Sequence, residues 1–374
     1  MPSWLKEGRG SLCGANVSLL LREMGITKPL LVAGERTKNV FFARTGMRLP
    51  VFDAFHPNPD LQDCVAGAAL YQEKGCDGLI SIGGGSAMDT AKGIKALLMT
   101  DIAHVRANQL PSEGNVPHLA IPGTAGTGAE TTAVAVLYEN GQKLSVDHPA
   151  LLPDGVLLDG SLLDTLPEYH RKSCAMDALA QGIESWWAKK ATPGSRIHAE
   201  RAIRGVLDNL TAYLQGDRKA QDEMLHAAYE SGVAILTTRT TAAHAMSYQI
   251  TKKLGAAHGH ACMLTLPHLW AHLAAQAEYQ PMLTELSRLL GGEKPMDGAI
   301  LLKGLLAVLK LDKIPMPDDA TLDMLAASVN PERLGNHPEA LTMAQLRAIY
   351  VQAFTPMTDT ERAEAIAAWE QYGK

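Results

Sequence analysis

Residues 76–92 read Cys-Asp-Gly-Leu-Ile-Ser-Ile-Gly-Gly-Gly-Ser-Ala-Met-Asp-Thr-Ala-Lys, and this run decides the fold. Cys76 to Ile82 is a short apolar stretch of strand length, Gly83-Gly84-Gly85-Ser86 breaks it, and Ala87 to Met99 carries helical spacing. The rhythm repeats on either side. Lys28 to Gly34 reads as a buried strand entering a glycine turn, and Asp60 to Lys74 as an amphipathic helix that stops near Gly75. His118 to Pro122 is a further strand, leading into Gly123-Thr-Ala-Gly-Thr-Gly-Ala-Glu130. Strands alternating with helices in this way predict an α/β domain with a largely parallel sheet.

From about Pro167 the texture changes. Ala, Leu, Glu and Arg dominate with helical spacing, as in Ser195 to Leu214 and Arg218 to Leu236, and strand-like runs almost vanish. The expected division is an α/β domain over 1–165 and an all-helical domain over 166–374. Pro315 to Asp319 and Asn330 to Glu339 read as surface loops between C-terminal helices. The 374 residues, 46% hydrophobic and 20% charged, have the composition of an ordinary globular protein with ample core. The formal net charge of −6, without a basic block, argues against a nucleic-acid partner. No apolar run approaches the ~20 residues that span a membrane. The opening MPSWLKEGRG is too polar and glycine-rich for a secretory leader, so cytoplasmic residence is expected. Five scattered cysteines without a CxxC pair read as free thiols in a reducing compartment. Cys262, although close to His258 and His260, reads as a packing residue.

Two stretches suit a phosphate-bearing ligand. In Gly83–Ser86 the glycines permit close backbone approach, and free N–H groups at a helix start attract anions, with Asp89 and Lys92 following on the first turns. A tight strand-to-helix turn is the plain alternative, since neither GxGxxG nor a Walker ending is present. The second stretch, Thr124 to Glu130, offers the hydroxyls of Thr124 and Thr127 where a ribose or phosphate could sit. Two such loops in one α/β domain point to a dinucleotide. Pro57-Asn58-Pro59 adds a stiff loop presenting an Asn side chain, although alone it would pass for an ordinary turn.

In the helical part, Asp177 and Gln181 stand four apart, as do His244 and Tyr248, and His258 follows ten residues later. Residues at i and i+4 share a helix face, so each pair can aim two polar groups at one point. The set reads as a metal site.

Several of these motifs occur together in one known family. Gly83-Gly-Gly-Ser-Ala-Met-Asp-Thr-Ala-Lys92, Ile121-Pro-Gly-Thr-Ala-Gly-Thr-Gly-Ala-Glu130, Asp177-Ala-Leu179 with Ile183-Glu184, and Pro57-Asn-Pro59 resemble the iron-dependent (group III) alcohol dehydrogenases. The similarity runs in order from Gly8 to Leu269. It implies the dehydroquinate synthase-like architecture: an N-terminal dinucleotide-binding α/β domain with a parallel sheet and an all-α C-terminal domain that holds metal and substrate. The metal of the family is iron or zinc. By that resemblance Asn58, Gly84, Gly85, Ser86, Asp89, Thr124, Thr127 and Lys143 fall on cofactor-contacting positions, and Leu163 and Thr165 lie close to them. Gly34 stands where NAD-favouring members carry an Asp for the ribose 2′-hydroxyl. With that carboxylate gone, Arg36 or Lys38 could pair with a 2′-phosphate, so NADP(H) is expected ahead of NAD(H).

The family's metal pattern is one Asp and three His, which falls here on Asp177, Gln181, His244 and His258. Gln181 replaces a His. Its amide oxygen is a weaker, neutral ligand, and the alternative is a hydrogen-bonding role beside the ion with water in the fourth position. Tyr248 stands where many relatives carry a His near the nicotinamide, as a proton relay or as part of the cleft wall. His260 is a second relay candidate, or an anion-binding group.

The resemblance implies reduction of a small aldehyde to a primary alcohol, with a Lewis-acidic metal and hydride from the nicotinamide. Residues 179–187, 241–248 and 258–261 are similar to the phosphonoacetaldehyde-reductase branch, whose members make 2-hydroxyethylphosphonate in phosphonate biosynthesis. Arg239, Lys252, Lys253 and His260 are then the nearby groups for a phosphonate. Another short or hydroxy aldehyde, a dehydroquinate-synthase-like lyase and a metal-free nucleotide-binding protein are the competing readings. A homodimer is expected.

Overall fold

The computed structural model describes residues 6–112 and 114–372. The first residues of the opening stretch, on which the expectation about a leader rests, lie outside them. The chain divides into two compact units, Met1–Thr165 and Leu166–Lys374.

The first unit contains eight described strands: β1 (Lys6–Arg9), β2 (Pro29–Ala33), β3 (Val51–Phe52), β4 (Gly78–Gly83), β5 (His118–Pro122), β6 (Val134–Glu139), β7 (Gln142–Asp147) and β8 (Gly155–Leu158). Six of them form one sheet in the order β1-β8-β5-β4-β2-β3, parallel throughout. Five helices connect them: α1 (Gly14–Glu23), α2 (Glu35–Thr45), α3 (Leu61–Lys74), α4 (Gly85–Met99) and α5 (Ile102–Arg106). Every residue of β2, β4 and β5 is buried, as expected of parallel strands covered on both faces. Leu30, Val32 and Leu79 face one apolar cluster, and Leu31, Ile80 and Ile82 face the other.

The three sequence-read strands and the helix from Asp60 are found, with Asp60 as the N-cap of a capping box and Gly75 closing α3 at φ +60°. Helix α4 starts at Gly85, two residues before the expected Ala87, because Gly85 and Ser86 already form its first turn. The strand–helix rhythm did not reveal the antiparallel hairpin β6–β7. It turns at Asn140 (φ +51°) and Gly141 (φ +73°), both in the left-handed region that a two-residue type I′ loop demands.

The second unit is helical, and no described strand follows β8. Its helices are α6 (Glu168–Trp187), α7 (Pro193–Leu214), α8 (Arg218–Thr238), α9 (Ala242–Gln249), α10 (His258–Ala274), α11 (Gln280–Leu290), α12 (Asp297–Leu309), α13 (Asp319–Ala327), α14 (Pro331–Gly335), α15 (Met343–Phe354) and α16 (Asp359–Tyr372). Helix α6 is central: it packs on α7, α8 and α10, and residues 175–187 are all buried. A helix buried all round has no solvent face to spend on polar groups, so Asp177, Gln181 and Glu184 within it must find partners.

The expectation of a surface loop over Asn330–Glu339 is corrected. The stretch contains α14, and Asn336 and His337 behind it are buried. Asn336 Nδ2 donates to the carbonyls of Thr238 (2.7 Å) and Thr240 (3.0 Å), which the end of α8 leaves unpaired, and the His337 ring meets Trp187 edge to face at 5.8 Å. Asn336 is an internal cap, which composition alone does not distinguish from a loop residue. Among the described residues, no helix is long and apolar enough to cross a membrane.

Gly304 of α12 lies against α16, where a Cβ would overlap the Ala365 carbonyl oxygen. Gly304→Ala is therefore expected to lower stability by about 1–3 kcal/mol through forced separation of the two helices, read as a fall in urea midpoint.

Candidate active site

In the first unit the two glycine-rich stretches are brought together by strand pairing. Gly83 is in register with Pro122, and Gly123 N–H donates to the Gly83 carbonyl at 2.7 Å. Gly83 itself sits at φ +147°, a conformation that admits little but glycine. The N-cap of α4 is Gly84, and no side chain caps this helix. No side chain therefore competes with an anion at this helix start, which lies at the carboxyl end of the sheet, where α/β folds place ligands. A Cβ on Gly84 would reach the Thr124 hydroxyl at 3.4 Å, and one on Gly85 would reach that of Thr127 at 3.8 Å. Gly84, Gly85, Ser86, Thr124 and Thr127 therefore form one cradle, whose glycines keep it open.

The surroundings hold this cradle in shape. Ser86 Oγ donates to the Pro57 carbonyl, and the Pro59 carbonyl accepts from Tyr138 N–H at 2.8 Å, so Asn58 is presented between two clamped prolines and is exposed. Lys92 is fully buried. Its ammonium donates to Ala129 O (2.7 Å), Thr132 Oγ1 (3.2 Å) and Val134 O (2.9 Å), tying α4 to the end of the second loop. Burial lowers Lys92 to about 8 and raises Asp89 to about 6, each offset in part by the opposite charge of the other. Lys143 on β7, opposite Tyr138, adds a second positive charge within reach of Asp89. Leu163 is buried at the end of a short turn after β8, and Thr165 is exposed two residues on.

Gly34 is the N-cap of α2, which also lacks a side-chain cap, and a Cβ there would meet nothing within 4 Å. Both cations offered for a 2′-phosphate have partners. Lys38 Nζ is bonded to Asp53 Oδ2 (2.7 Å) and Glu35 Oε2 (3.0 Å), and Arg36 Nη1 donates to the Thr165 carbonyl (3.0 Å). These carboxylates stand beside a glycine that carries none.

In the second unit Asp177, His244, His258 and Cys262 place one donor atom each within 4.8 Å of one another. Asp177 comes from α6, His244 from α9, and His258 opens α10 with Cys262 one turn later. His244 Nδ1 bonds the Glu184 carboxylate, which leaves Nε2 facing Asp177 Oδ1 at 3.3 Å. His258 Nδ1 faces Ser247 Oγ at 3.3 Å, and its Nε2 faces Cys262 Sγ at 4.0 Å. Both imidazoles thus have Nδ1 engaged and Nε2 turned inward, the arrangement in which an outer partner fixes the tautomer of a metal-binding histidine. Asp177 is held below the ordinary carboxylate range, because His258 and His244 outweigh the penalty of its burial. The donor set fits a divalent ion.

Gly259 sets the distance between these helices. A Cβ there would overlap the Ser173 carbonyl oxygen and lie 2.7 Å from Asp177 Cβ, so the bare glycine lets the first turn of α10 rest on α6.

Of the residues read from the sequence, Gln181 takes one of its two expected roles, and the readings of His260 and Cys262 change. The Gln181 amide lies between Asp177 Oδ1 (3.3 Å) and Ser231 Oγ (2.8 Å) and is hydrogen-bonded to both. It supports the carboxylate, the hydrogen-bonding alternative given for it above. His260, offered as a relay or anion-binding group, has both ring nitrogens in use: Nε2 donates to the Leu311 carbonyl (2.8 Å) and Nδ1 accepts from Tyr169 OH (3.1 Å). It is a latch between segments. Cys262, read as packing, belongs to the inward-facing cluster, and the i,i+4 spacing from His258 was the signal for it. Tyr248 does lie at the cluster, its ring stacked on His258 at 6.0 Å and nearly parallel.

The chain belongs to the iron-containing alcohol dehydrogenase family. A model of iron-containing alcohol dehydrogenases matches residues 3–160, and one of the C-terminal part of the same family matches residues 172–354. The family uses NAD(P) and a divalent metal. A probable alcohol dehydrogenase EutG of Escherichia coli is 34% identical over 65% of this chain and 60% of its own. A phosphonoacetaldehyde reductase of Streptomyces viridochromogenes is 36% identical over 57% of this chain and 58% of its own. The chain thus spans less than two thirds of these two relatives. Among solved structures, sulfoacetaldehyde reductase from Bifidobacterium kashiwanohense, in complex with NAD+, superposes with a TM-score of 0.85 at 26% identity, covering 95% of this chain and 97% of that one.

Glu184→Gln keeps the shape but removes the charge that fixes the His244 tautomer. Metal affinity is expected to fall about 10–100-fold, measured by competition with a chelator, while the circular dichroism spectrum is unchanged.

Proposed function

We propose that this chain reduces a small aldehyde to a primary alcohol with NAD(P)H and a divalent metal, and that the aldehyde is a two-carbon one with a strongly acidic head group, phosphonoacetaldehyde first among them. The observation that carries the reaction type is the convergence of Asp177 Oδ1 with the Nε2 atoms of His244 and His258. Bound there, an ion supplies Lewis acidity to a carbonyl oxygen while the nicotinamide supplies hydride. The protein's own part is positional. Glu184 and Ser247 hold the two imidazoles with Nε2 available, and Asp177 brings a fixed negative charge. Tyr248, whose ring stacks on His258, carries a phenol O–H suited to donating a proton to a developing alcohol. Asn58, Gly84, Gly85, Ser86, Thr124 and Thr127 take the cofactor's phosphates and ribose, with Asp89, Lys143, Leu163 and Thr165 at the edges.

Two similarities support the substrate class. One relative is named for phosphonoacetaldehyde and one structural neighbour for sulfoacetaldehyde, both two-carbon aldehydes with an anionic head. Arg239, Lys252 and Lys253 are the cations offered to that head group. Arg239 stands at φ +62° and ψ 178°, two residues before Thr241, in backbone that costs a non-glycine residue about 1–3 kcal/mol and is a common mark of functional sites. A homodimer completes the proposal, and sedimentation of the purified protein decides it.

The metal-loaded protein is expected to oxidise NAD(P)H with phosphonoacetaldehyde in preference to neutral short aldehydes. Turnover with no member of an aldehyde panel would overturn the reductase reading, and preference for propanal would overturn the acidic head group. Gly34→Asp has room for its side chain and places a carboxylate at the start of α2. It is expected to shift the ratio of kcat/KM values toward NADH, and an unchanged ratio would exclude contact between this turn and the 2′-position.

A further inference from the structure

We propose that Cys262 is a metal ligand: its thiolate takes the place left by Gln181, and this makes the centre one for zinc in preference to iron. The proposal rests on the metal site argued above and deepens it. Cys262 is fully buried on the first turns of α10, one turn beyond His258, so the two side chains share a helix face. Its sulfur lies 4.0 Å from His258 Nε2 and belongs to the same group of four inward donors as Asp177 and His244. Around a tetrahedral ion with ordinary zinc bond lengths, donor atoms stand about 3.3–3.6 Å apart. The Asp177–His244 separation of 3.3 Å already meets that, the sulfur stands 4.0 Å from His258 Nε2, and all four donors lie within 4.8 Å of one another, so the group draws together when an ion binds.

Gln181 is the competing fourth ligand, and it is occupied elsewhere. Its amide is already hydrogen-bonded at both ends, 2.8 Å from Ser231 Oγ and 3.3 Å from Asp177 Oδ1, and ligation would have to break the contact with Ser231. Asp177, two imidazoles and a thiolate form a mixed donor set with one soft member. Thiolate favours Zn2+ over the harder Fe2+ and Mn2+. On binding, the Cys262 S–H bond gives up its proton to solvent and a sulfur–metal bond forms, with no change of oxidation state. The two anionic ligands cancel the charge of the ion, so the centre is less electrophilic than one with a single carboxylate.

X-ray absorption of the zinc-loaded full-length protein tests this. The expected spectrum contains one sulfur at ~2.3 Å beside nitrogen and oxygen at ~2.0–2.1 Å. Cys262→Ser removes the sulfur shell, whereas Cys174→Ser and Gln181→Ala retain it. The cobalt-loaded protein shows a near-ultraviolet sulfur-to-cobalt charge-transfer band that Cys262→Ser abolishes. In competition, Cys262→Ser narrows the advantage of Zn2+ over Fe2+ by at least about tenfold. A parent spectrum with nitrogen and oxygen alone, or a sulfur shell that survives in Cys262→Ser, overturns the assignment. If Cys262→Ser does not fold, the parent and Cys174→Ser spectra decide it: sulfur in both supports the assignment, and its absence from either overturns it. The two proposals fail separately. Aldehyde turnover without a sulfur shell leaves the reductase reading intact, a sulfur shell without turnover leaves the ligand intact, and no metal uptake overturns both.

Discussion

The second unit depends on one buried carboxylate. Glu184, fully enclosed in α6, accepts from Thr241 N–H (3.1 Å), Thr241 Oγ1 (2.6 Å), Ala243 N–H (2.9 Å) and His244 Nδ1. Leaving a carboxylate in such a place without partners would cost several kcal/mol. Thr241 has no side-chain bond capping its own helix, so Glu184 caps α9 from a neighbouring helix. Trp187, one turn along α6, donates to the same Thr241 hydroxyl at 3.0 Å. The start of α9, the tautomer of His244 and the aim of its Nε2 atom are thus set by one residue. His244 and Thr241 keep Glu184 ionised despite its burial.

A comparable economy governs the first unit. Helices α3 and α5 are capped by Asp60 and Asp101, but α2 and α4, following the neighbouring strands β2 and β4, begin at bare glycines. A side-chain cap at either place would compete with an anionic ligand for the same N–H groups.

The parts most legible in the sequence were those governed by short-range rules. Buried parallel strands read as apolar runs, and glycine turns marked their ends, so residues 28–34, 76–86 and 118–130 were placed within a residue or two. The i,i+4 pairs of α6 and α9 likewise followed from helix geometry, whereas His258 was tied to them by the family resemblance. The Asn140-Gly141 dipeptide is a hairpin signal in itself, but it lies among βα units whose rhythm predicts no antiparallel pair. What could not be read depended on partners distant in sequence. Nothing near Gln181 shows that Ser231 holds its amide, nothing near His260 shows that Leu311 and Tyr169 take its nitrogens, and nothing near Asn336 shows the open carbonyls of α8. The partners of Glu184, at Thr241, Ala243 and His244, are likewise distant in sequence. Family pattern directed attention to Gln181, whereas the packing of α10 on α6 through Gly259 brings Cys262 to the cluster.

Lys92 carries a consequence for how the cofactor site works. An ammonium stripped of water is costly, and here three oxygens of the second loop replace its hydration shell. That loop has already given up its conformational freedom when the chain folds. The entropy cost of ordering it falls at folding, so any ligand that touches Ala129 to Val134 need not meet that cost again on binding.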